Sequence, residues 1–278
     1  MAEKPKHLDP SELGTREYWD KLYTTEIANN AADPDDIGTV WFDDSGAEEK
    51  MLAFLDRLAG VSPDHSDSDT SDTDNTPDFP SLPAAPAAAL SRETTSILDL
   101  GCGNGSILFS LRSRGWSGPL YGVDYSAHSI SLASQIAASR ALPDVAPIVF
   151  TEWDLLSGPP LPTILPVQTV DLVLDKGTFD AISLNDATEP SSGRRVCEGY
   201  KERVLPLLPV GGLFLITSCN WTEEELRGWF VAGESVEDAT FEEAGRVKYR
   251  TFSFGGISGQ TISTLCFRKI LTKPSSST

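Results

Sequence analysis

The sequence predicts an α/β fold in which helices cover both faces of a mostly parallel sheet. Its 278 residues, of which 40% are hydrophobic, suffice for one domain of this class. After residue 91, short apolar runs alternate with helix-like segments, a pattern typical of parallel strands joined by crossover helices. Two late strands flank a glycine-rich turn and would add an antiparallel strand at one edge.

Two helices are predicted before the first strand. The first covers residues 11–31, where aromatic and aliphatic side chains recur at helical spacing. The second begins at an S-x-x-E capping box formed by Ser45 and Glu48. Between the two helices, Trp41 and Phe42 lie in a predicted loop.

The later elements follow one another in strand-then-helix order. Helices are predicted around Ile107, after a cap at Ser126, over residues 194–208, and after a second capping box that starts at Thr222. The predicted strands cover residues 97–100, 120–123, 147–151, 170–174, 213–217, about 247–254 and about 261–269.

Acidic residues greatly outnumber basic ones. The chain has 41 Asp and Glu against 22 Lys and Arg, for a net charge of −19. Nucleic acid and anionic membranes are disfavoured as partners because both need clustered cations, whereas a basic protein suits this charge. Residues 62–91 contain six acids and no Lys or Arg. They predict a disordered acidic insertion, with an acidic docking segment as the alternative.

The cysteines and histidines give no sign of a metal site. Four cysteines and three histidines lie far apart in the chain, without the paired spacing that zinc ligands show. There is no apolar run of about 18 residues, and the polar first residues resemble no targeting segment. We therefore expect a reduced cytoplasmic protein that uses no metal.

A glycine-rich turn follows the first predicted strand. In LDLGCGNG, Gly101, Gly103 and Gly105 occupy alternate positions, and Asp99 stands two residues before the first glycine. Bare Cα atoms let a ligand approach the backbone, and the next helix points free N–H groups toward it. Dinucleotide binding would need G-x-G-x-x-G, and a carboxylate here would repel a pyrophosphate but attract an ammonium group. The pattern favours a ligand with an amino acid moiety, such as S-adenosylmethionine, over NAD.

Two further acids stand at the ends of the next strands. Asp124 follows the second strand, where a carboxylate accepts hydrogen bonds from both hydroxyls of a ribose. Asp154 follows the third strand and could accept a hydrogen bond from an adenine amine, while Trp153 could pack on the adenine. Acids at successive strand ends therefore extend the predicted nucleoside site.

With LDLGCGNG after the first strand and GVDYS at the second, the sequence resembles the class I, seven-strand S-adenosylmethionine-dependent methyltransferases. The resemblance covers about residues 45–270 apart from the acidic insertion. It implies a Rossmann-like sheet of strand order 3-2-1-4-5-7-6, with the methyl donor over the switch point. Gly101 and Gly103 would line its methionine portion. The cofactor-binding residues that we expect are Asp99, Gly101, Gly103, Asn104, Asp124, Tyr125, Trp153, Asp154 and Asp175.

Three further segments indicate a particular group within these methyltransferases. They are LGTREYWD with Tyr23, the pair Trp41-Phe42, and VLDKGTFD after the fourth strand. Together they are similar to the protein-lysine methyltransferases that act on translation elongation factor 1-alpha, in the branch of methyltransferase-like protein 10. This resemblance implies a lysine ε-amine of that factor as the substrate. Residues 1–44 would form an N-terminal lid or substrate segment, 45–270 the methyltransferase domain, and 271–278 a flexible tail.

The acceptor amine is expected after the fourth and fifth strands. A lysine amine, with an ordinary pKa of about 10.4, must lose a proton before it attacks. Carboxylates can orient the amine, and aromatic walls can desolvate it and hold a methylated cation. We assign Asp175 to orienting the amine, and Trp221 and Trp41 to the walls. Helix capping by Asp180 and solvation of Lys176 are even alternatives to a catalytic role.

Other interpretations remain open from the sequence. Packing on the sheet is favoured for Trp19 and Tyr23, with a lid over the cofactor as the alternative. A small-molecule methyltransferase and a non-catalytic binding subunit are the rivals for the whole chain. The N/D-P-P-Y/F/W motif of adenine and glutamine methyltransferases is replaced here by LDKG, which again disfavours nucleic acid.

Overall fold

The computed structural model describes most of the chain. It covers residues 5–61, 90–140, 146–232, 235–249, 252–254, 257–259 and 261–272. The insertion expected at 62–91 falls outside these ranges except for its last two residues, and so does the expected tail except for its first two.

A seven-stranded sheet lies at the centre of the protein. The strands are β1 Ile97–Leu100, β2 Leu120–Asp124, β3 Val149–Glu152, β4 Leu172–Lys176, β5 Leu213–Ser218, β6 Ala239–Val247, β7 Phe252–Phe254, β8 Ile257–Gly259 and β9 Ser263–Leu271. The sheet order is β3-β2-β1-β4-β5-β9-β6, and β7 pairs separately with β8. Counted along the chain, the strands of the large sheet confirm the predicted order 3-2-1-4-5-7-6. β1 to β5 run parallel, and β9 lies antiparallel between β5 and β6.

Helices cover both faces of this sheet. The α-helices are α1 Arg16–Ala32, α2 Ala47–Leu58, α3 Ser106–Ser113, α4 Ala127–Ser139, α5 Thr178–Ser183, α6 Tyr200–Val204 and α7 Glu223–Phe230. Thr15 caps α1 and Ser126 caps α4, each accepting a backbone N–H with its hydroxyl. Within the described ranges, no helix is long and apolar enough to cross a membrane.

Neighbouring strand residues enter different cores because their side chains point to opposite faces of the sheet. Leu98 and Leu100 of β1 pack in the core that contains α6 and α7, whereas Ile97 packs in the core that contains α2 and α3. β1, β2 and β5 are buried along their whole length. The faces of the sheet are thus filled, which leaves the carboxyl ends of the parallel strands as the place for a ligand.

The prediction of the late strands is partly wrong. The partner of β9 is β6, which begins at Ala239 and ends at Val247, rather than a strand over 247–254. Glu242, Glu243 and Arg246 interrupt the apolar pattern of β6 in the sequence. Their side chains are only partly buried, and a register shift follows Glu243. Because of these charged residues at the sheet edge, the apolar pattern of the sequence did not indicate β6.

The helix predicted over residues 194–208 is broken into three short segments. A 3₁₀-helix covers Val196–Gly199, α6 covers Tyr200–Val204, and a second 3₁₀-helix covers Leu205–Leu207. Pro206 has no N–H to donate, so a regular α-helical bond is lost there.

Only one of the predicted capping boxes forms. Thr222 and Glu225 cap α7 reciprocally, as predicted. The box at Ser45 and Glu48 is wrong, because α2 begins at Ala47 after a glycine in the left-handed region. Glu48 instead accepts hydrogen bonds from the hydroxyls of Ser106 and Ser110 on α3. This carboxylate therefore ties α2 to α3.

A buried acid connects the chain segments on either side of the insertion. Asp56 of α2 lies 2.7 Å from Nη2 of Arg92 and 2.8 Å from Nη1 of Arg114, and accepts the Nε1–H of Trp116 at 2.9 Å. Burial raises the pKa of Asp56, but these hydrogen bonds outweigh it and hold the pKa below its ordinary value. The resulting stability is present at neutral pH and is lost as the pH falls through the lowered pKa.

Replacing Asp56 with alanine is therefore expected to destabilise the fold. Two arginines and an indole N–H lose their shared acceptor, and breaking such a buried pair costs about 3–5 kcal/mol in unfolding free energy. Urea denaturation at neutral pH measures this loss. The matched control is Asp35→Asn on the exposed surface, expected to change the free energy by less than about 0.5 kcal/mol. Equal stability of the two variants would contradict the role given to Asp56.

Candidate active site

A cavity of about 380 Å³ opens at the carboxyl ends of the parallel strands. Residues that follow β1, β2, β3, β4 and β5 line it, together with Trp19, Tyr23 and Trp41 from the N-terminal part of the chain. This is the edge at which open α/β sheets bind ligands. The cavity continues from the glycine turn after β1 to the residues after β5, so two reactants can meet inside it.

The glycine turn lines the cavity with bare backbone. Gly101 has φ +61° and Gly103 has φ +55°, values that L side chains rarely adopt. A Cβ at Gly101 would lie 2.1 Å from Oγ1 of Thr178, and one at Gly103 would lie 2.8 Å from the Tyr23 hydroxyl. Thr178 is held against the turn because its Oγ1 donates to the Leu100 carbonyl at 2.6 Å. Only glycine therefore fits these two positions.

Asp99 places a buried carboxylate on the cavity wall. It is 3% exposed, and burial raises its pKa well above the ordinary value. Lys176 opposes this rise, while Glu48 adds to it. A carboxylate in this position attracts a cationic group on a ligand, because pairing with a cation offsets the cost of burying its charge.

Acids at the ends of β2 and β3 also line the cavity. Asp124 accepts backbone N–H groups of Gly103 at 3.1 Å and of Ser126 at 2.9 Å, which fixes its carboxylate beside the glycine turn. Asp154 accepts the N–H of Leu156 at 2.9 Å, and Trp153 donates its Nε1–H to Pro159. Tyr125 stands beside Asp124 on the same wall. The structure thus brings all four of these predicted residues together.

Asn104 connects the glycine turn to the N-terminal part of the chain. Its Nδ2 donates to the carbonyls of Ile37 at 2.8 Å and Thr39 at 3.2 Å, and its Oδ1 accepts the N–H of Ser106. The side chain lines the cavity, but its polar atoms are engaged within the protein. Asn104 thereby holds the segment that covers the cavity.

That covering segment is aromatic. Trp19 and Trp41 have ring centroids 5.0 Å apart, and Trp19 donates its Nε1–H to the Leu13 carbonyl at 2.8 Å. Tyr23 packs between α1 and α4, and its hydroxyl reaches the glycine turn. Trp19 and Tyr23 therefore pack on the neighbouring helices and also line the cavity, and a lid over the cofactor stays a prediction.

Asp175 does not face the cavity. It is 0% exposed, and its oxygens accept the N–H groups of Thr178 and Phe179 and the hydroxyl of Tyr200. Burial raises its pKa to about 7. The assignment of Asp175 to the amine and to the cofactor is therefore not supported. Gly177, at φ +90°, turns the chain so that this carboxylate meets the first N–H groups of α5.

Trp221 does not wall the cavity either. It is 3% exposed, packs against Phe179 and Trp229, and donates its Nε1–H to Ser183 at 3.3 Å. Its own backbone N–H donates to the Ser218 hydroxyl at 2.9 Å, which turns the side chain into the core. Of the three predicted acceptor-site residues, only Trp41 lies on the cavity wall.

Comparison with known proteins identifies the family. Residues 91–261 match the family described as a methyltransferase domain. The chain is 37% identical to protein-lysine N-methyltransferase EFM4 of Saccharomyces cerevisiae, over 94% of this chain and 96% of that one. It is 34% identical to EEF1A lysine methyltransferase 2 of Homo sapiens, over 94% of this chain and 88% of that one.

The chain belongs to this family of S-adenosylmethionine-dependent protein-lysine methyltransferases. A third relative, protein-lysine N-methyltransferase efm4 of Schizosaccharomyces pombe, is 34% identical over 94% of this chain and 95% of that one. The cavity of the methyltransferase fits the cofactor of the family. It offers a side-chain-free cradle at Gly101 and Gly103 and a buried carboxylate at Asp99 for an ammonium group.

Sequence reasoning missed several residues of the methyltransferase cavity. Phe42, Cys219 and Asn220 line it, although the sequence had suggested no role for them there. Asp180 also lines it, and the sequence had left helix capping and catalysis as equal alternatives for this residue. Gly177 is the actual N-cap of α5, so Asp180 is not a cap. Lys176 is not solvated, since its Nζ donates to the Trp41 carbonyl at 3.0 Å. No group of residues suited to a metal ion occurs among those described.

Proposed function

We propose that this methyltransferase transfers a methyl group from S-adenosylmethionine to a lysine ε-amine of translation elongation factor 1-alpha. The main support is sequence identity to two relatives whose names state protein-lysine or EEF1A lysine methylation. The chain is 37% and 34% identical to them along nearly their whole length. Similarity that extends beyond the catalytic domain supports a shared substrate. We place the reaction in the cytoplasm, without nucleic acid or membrane as a partner.

The cofactor-binding residues are proposed from the cavity wall. Asp99 would pair with the ammonium group of the methionine portion, next to the bare backbone of Gly101 and Gly103. Asp124 would accept hydrogen bonds from the ribose. Trp153 and Asp154 would contact the adenine, with Tyr125 beside them. Asn104 acts through the segment that it holds over the cavity.

The chemistry needs little from the protein besides alignment and exclusion of water. When bound, the cofactor supplies an electrophilic methyl group on a sulfonium. Trp41 and Phe42 line the cavity and lower the polarity around an incoming amine, which favours its neutral form. Aromatic faces also attract the methylated product by cation–π contact, at about 0.5–2 kcal/mol. No histidine lines the cavity in the described part of the chain.

The proposal is tested with purified protein, S-adenosylmethionine and recombinant elongation factor 1-alpha. Tandem mass spectrometry of the digested factor is expected to show one methylated lysine that is absent without enzyme. Replacing that lysine with arginine in the factor is the control and should remove the signal. Methylation of a different residue type, or transfer only to small amines, would contradict the proposal and favour the small-molecule alternative.

A further inference from the structure

Asp175 lies near the end of β4 and Asp180 lies on α5 just beyond it, and of these two carboxylates only Asp180 meets the cavity. Asp175 is enclosed by its own hydrogen bonds and is absent from the cavity wall. Asp180, five residues later on α5, lines the wall beside Cys219 and Asn220, which follow β5. Of the two carboxylates, Asp180 is therefore the one that can contact the acceptor amine. This inference rests on the proposed function and adds a residue to it.

Hydrogen bonds hold the carboxylate of Asp180 in place without occupying all of its acceptor sites. Its Oδ1 accepts the hydroxyl of Ser218, and its Oδ2 accepts the backbone N–H of Cys219 at 2.8 Å. A carboxylate has about four acceptor sites, so these two bonds do not saturate it. The Cys219 thiol and the backbone N–H of Asn220 also interact with this carboxylate and lower its pKa. The Ser218 oxygen accepts two backbone N–H groups, those of Asn220 and Trp221, and this fixes its own O–H toward Asp180.

In the part of the chain that the structure describes, the carboxylate of Asp180 has no cationic partner. Among the described residues, no lysine, arginine or histidine forms an ion pair with it. It is 4% exposed, and burial raises its pKa to about 6, although hydrogen bonds from Ser218 and Cys219 oppose the rise. The group is therefore mainly ionised at neutral pH. A buried anion is costly unless it is paired, which a substrate amine would accomplish.

The helix that carries Asp180 begins at the proposed donor site. Thr178, two residues earlier on α5, contacts the glycine turn directly through its bond to the Leu100 carbonyl. On the other side, the ring of Phe42 packs over Gly177, and a Cβ there would lie 3.0 Å from it. Phe42 has φ +66°, which is uncommon for an aromatic residue, so the surrounding contacts must offset the cost of this conformation. An anion, an aromatic ring and the glycine turn thus line the same cavity.

We propose that Asp180 is the catalytic carboxylate that binds the acceptor lysine, and that Ser218 is its positioning residue. The neutral amine donates an N–H to Asp180 and directs its lone pair at the methyl carbon. The lone pair forms the N–C bond while the electron pair of the C–S bond goes to sulfur, leaving a thioether. The positive charge passes to the methylated nitrogen, where Asp180 stabilises it. The proton of the original ammonium leaves to solvent before attack.

Asp180→Asn tests the assignment, since asparagine keeps the shape and removes the charge. We expect kcat for the lysine substrate to fall about 100-fold, because the variant lacks the charge that stabilises the cation formed in the transfer. Binding of S-adenosylhomocysteine, measured by isothermal titration calorimetry, should stay within about threefold because that ligand does not need the charge. Retained binding also shows that the variant is folded. Asp44→Asn, an exposed acid near the same loops, is the matched control and should keep the wild-type kcat.

Ser218→Ala supplies a readout that a merely structural role would not move. The Ser218 hydroxyl lowers the pKa of Asp180, so its removal raises that pKa. The acidic limb of the kcat/KM profile should therefore shift to higher pH, with less effect at alkaline pH. An unshifted limb would overturn the positioning role.

The outcomes separate this proposal from the proposed function. Full activity of Asp180→Asn would overturn the role of Asp180 and leave the function intact. If the wild type methylates lysine in another protein, the substrate is wrong, and the Asp180 variants are then compared on that protein. A wild type that binds S-adenosylhomocysteine but methylates no lysine contradicts both proposals.

Discussion

Replacing Gly101 with alanine is expected to weaken cofactor binding more than any other single-atom addition. The new Cβ would lie 2.1 Å from Oγ1 of Thr178, and the residue has φ +61°. A left-handed conformation costs a side chain about 1–2 kcal/mol before the clash is counted. The turn must therefore move, and we expect the Kd for S-adenosylhomocysteine to rise about 100-fold or more, which corresponds to about 2.7 kcal/mol.

Isothermal titration calorimetry measures this change, and Gly115→Ala is the matched control. Gly115 has φ +83°, but a Cβ there would meet nothing within 4 Å. The control variant should therefore lose a similar amount of backbone stability and keep the wild-type Kd. If Gly101→Ala binds S-adenosylhomocysteine within threefold of wild type, the glycine turn is not the cofactor cradle.

Asp124→Ala is expected to have the second largest effect on the cofactor. The carboxylate accepts the N–H groups of Gly103 and Ser126, so its removal frees two backbone donors and removes the proposed acceptor for the ribose. A buried donor left without a partner costs about 1–3 kcal/mol. We expect the Kd for S-adenosylhomocysteine to rise about 30- to 100-fold, with the loss of the ribose contact included.

The control for this variant is Asp154→Ala, at the end of β3. Its carboxylate serves the local turn at Leu156 and Ser157, so we expect a smaller rise of about threefold to tenfold in Kd. Burial raises the pKa of Asp124, so wild-type binding should weaken as acidification protonates that carboxylate. Equal losses for the two variants, or none for Asp124→Ala, would contradict the assigned roles.

The cofactor side of the cavity was predictable because its determinants are local. Gly101 and Gly103 reveal a left-handed turn through their residue type, and Asp99 and Asp124 are recognisable from their distance to buried strands. All four residues line the cavity, as expected. The strand order was predictable only through the family resemblance, because many orders satisfy an alternation of strands and helices.

The acceptor side could not be predicted in the same way. Asp175 lies near the end of β4 and Asp180 on α5, on either side of the left-handed residue Gly177, and the sequence does not show which of the two carboxylates faces the cavity. Trp221 turns into the core because its backbone N–H donates a hydrogen bond to the Ser218 hydroxyl at the end of β5. This turn depends on where β5 ends. Contacts between distant segments were equally hidden, such as the bond from Asn104 to Ile37, 67 residues away.

A crystal structure of the protein with S-adenosylhomocysteine tests the central claim most directly. We expect the ligand in the cavity after β1, with its amino group on Asp99, its ribose on Asp124 and its sulfur facing Asp180 and Phe42. A ligand bound elsewhere would show that the glycine turn is not the donor site, and a sulfur that faces away from Asp180 would exclude this carboxylate from the transfer.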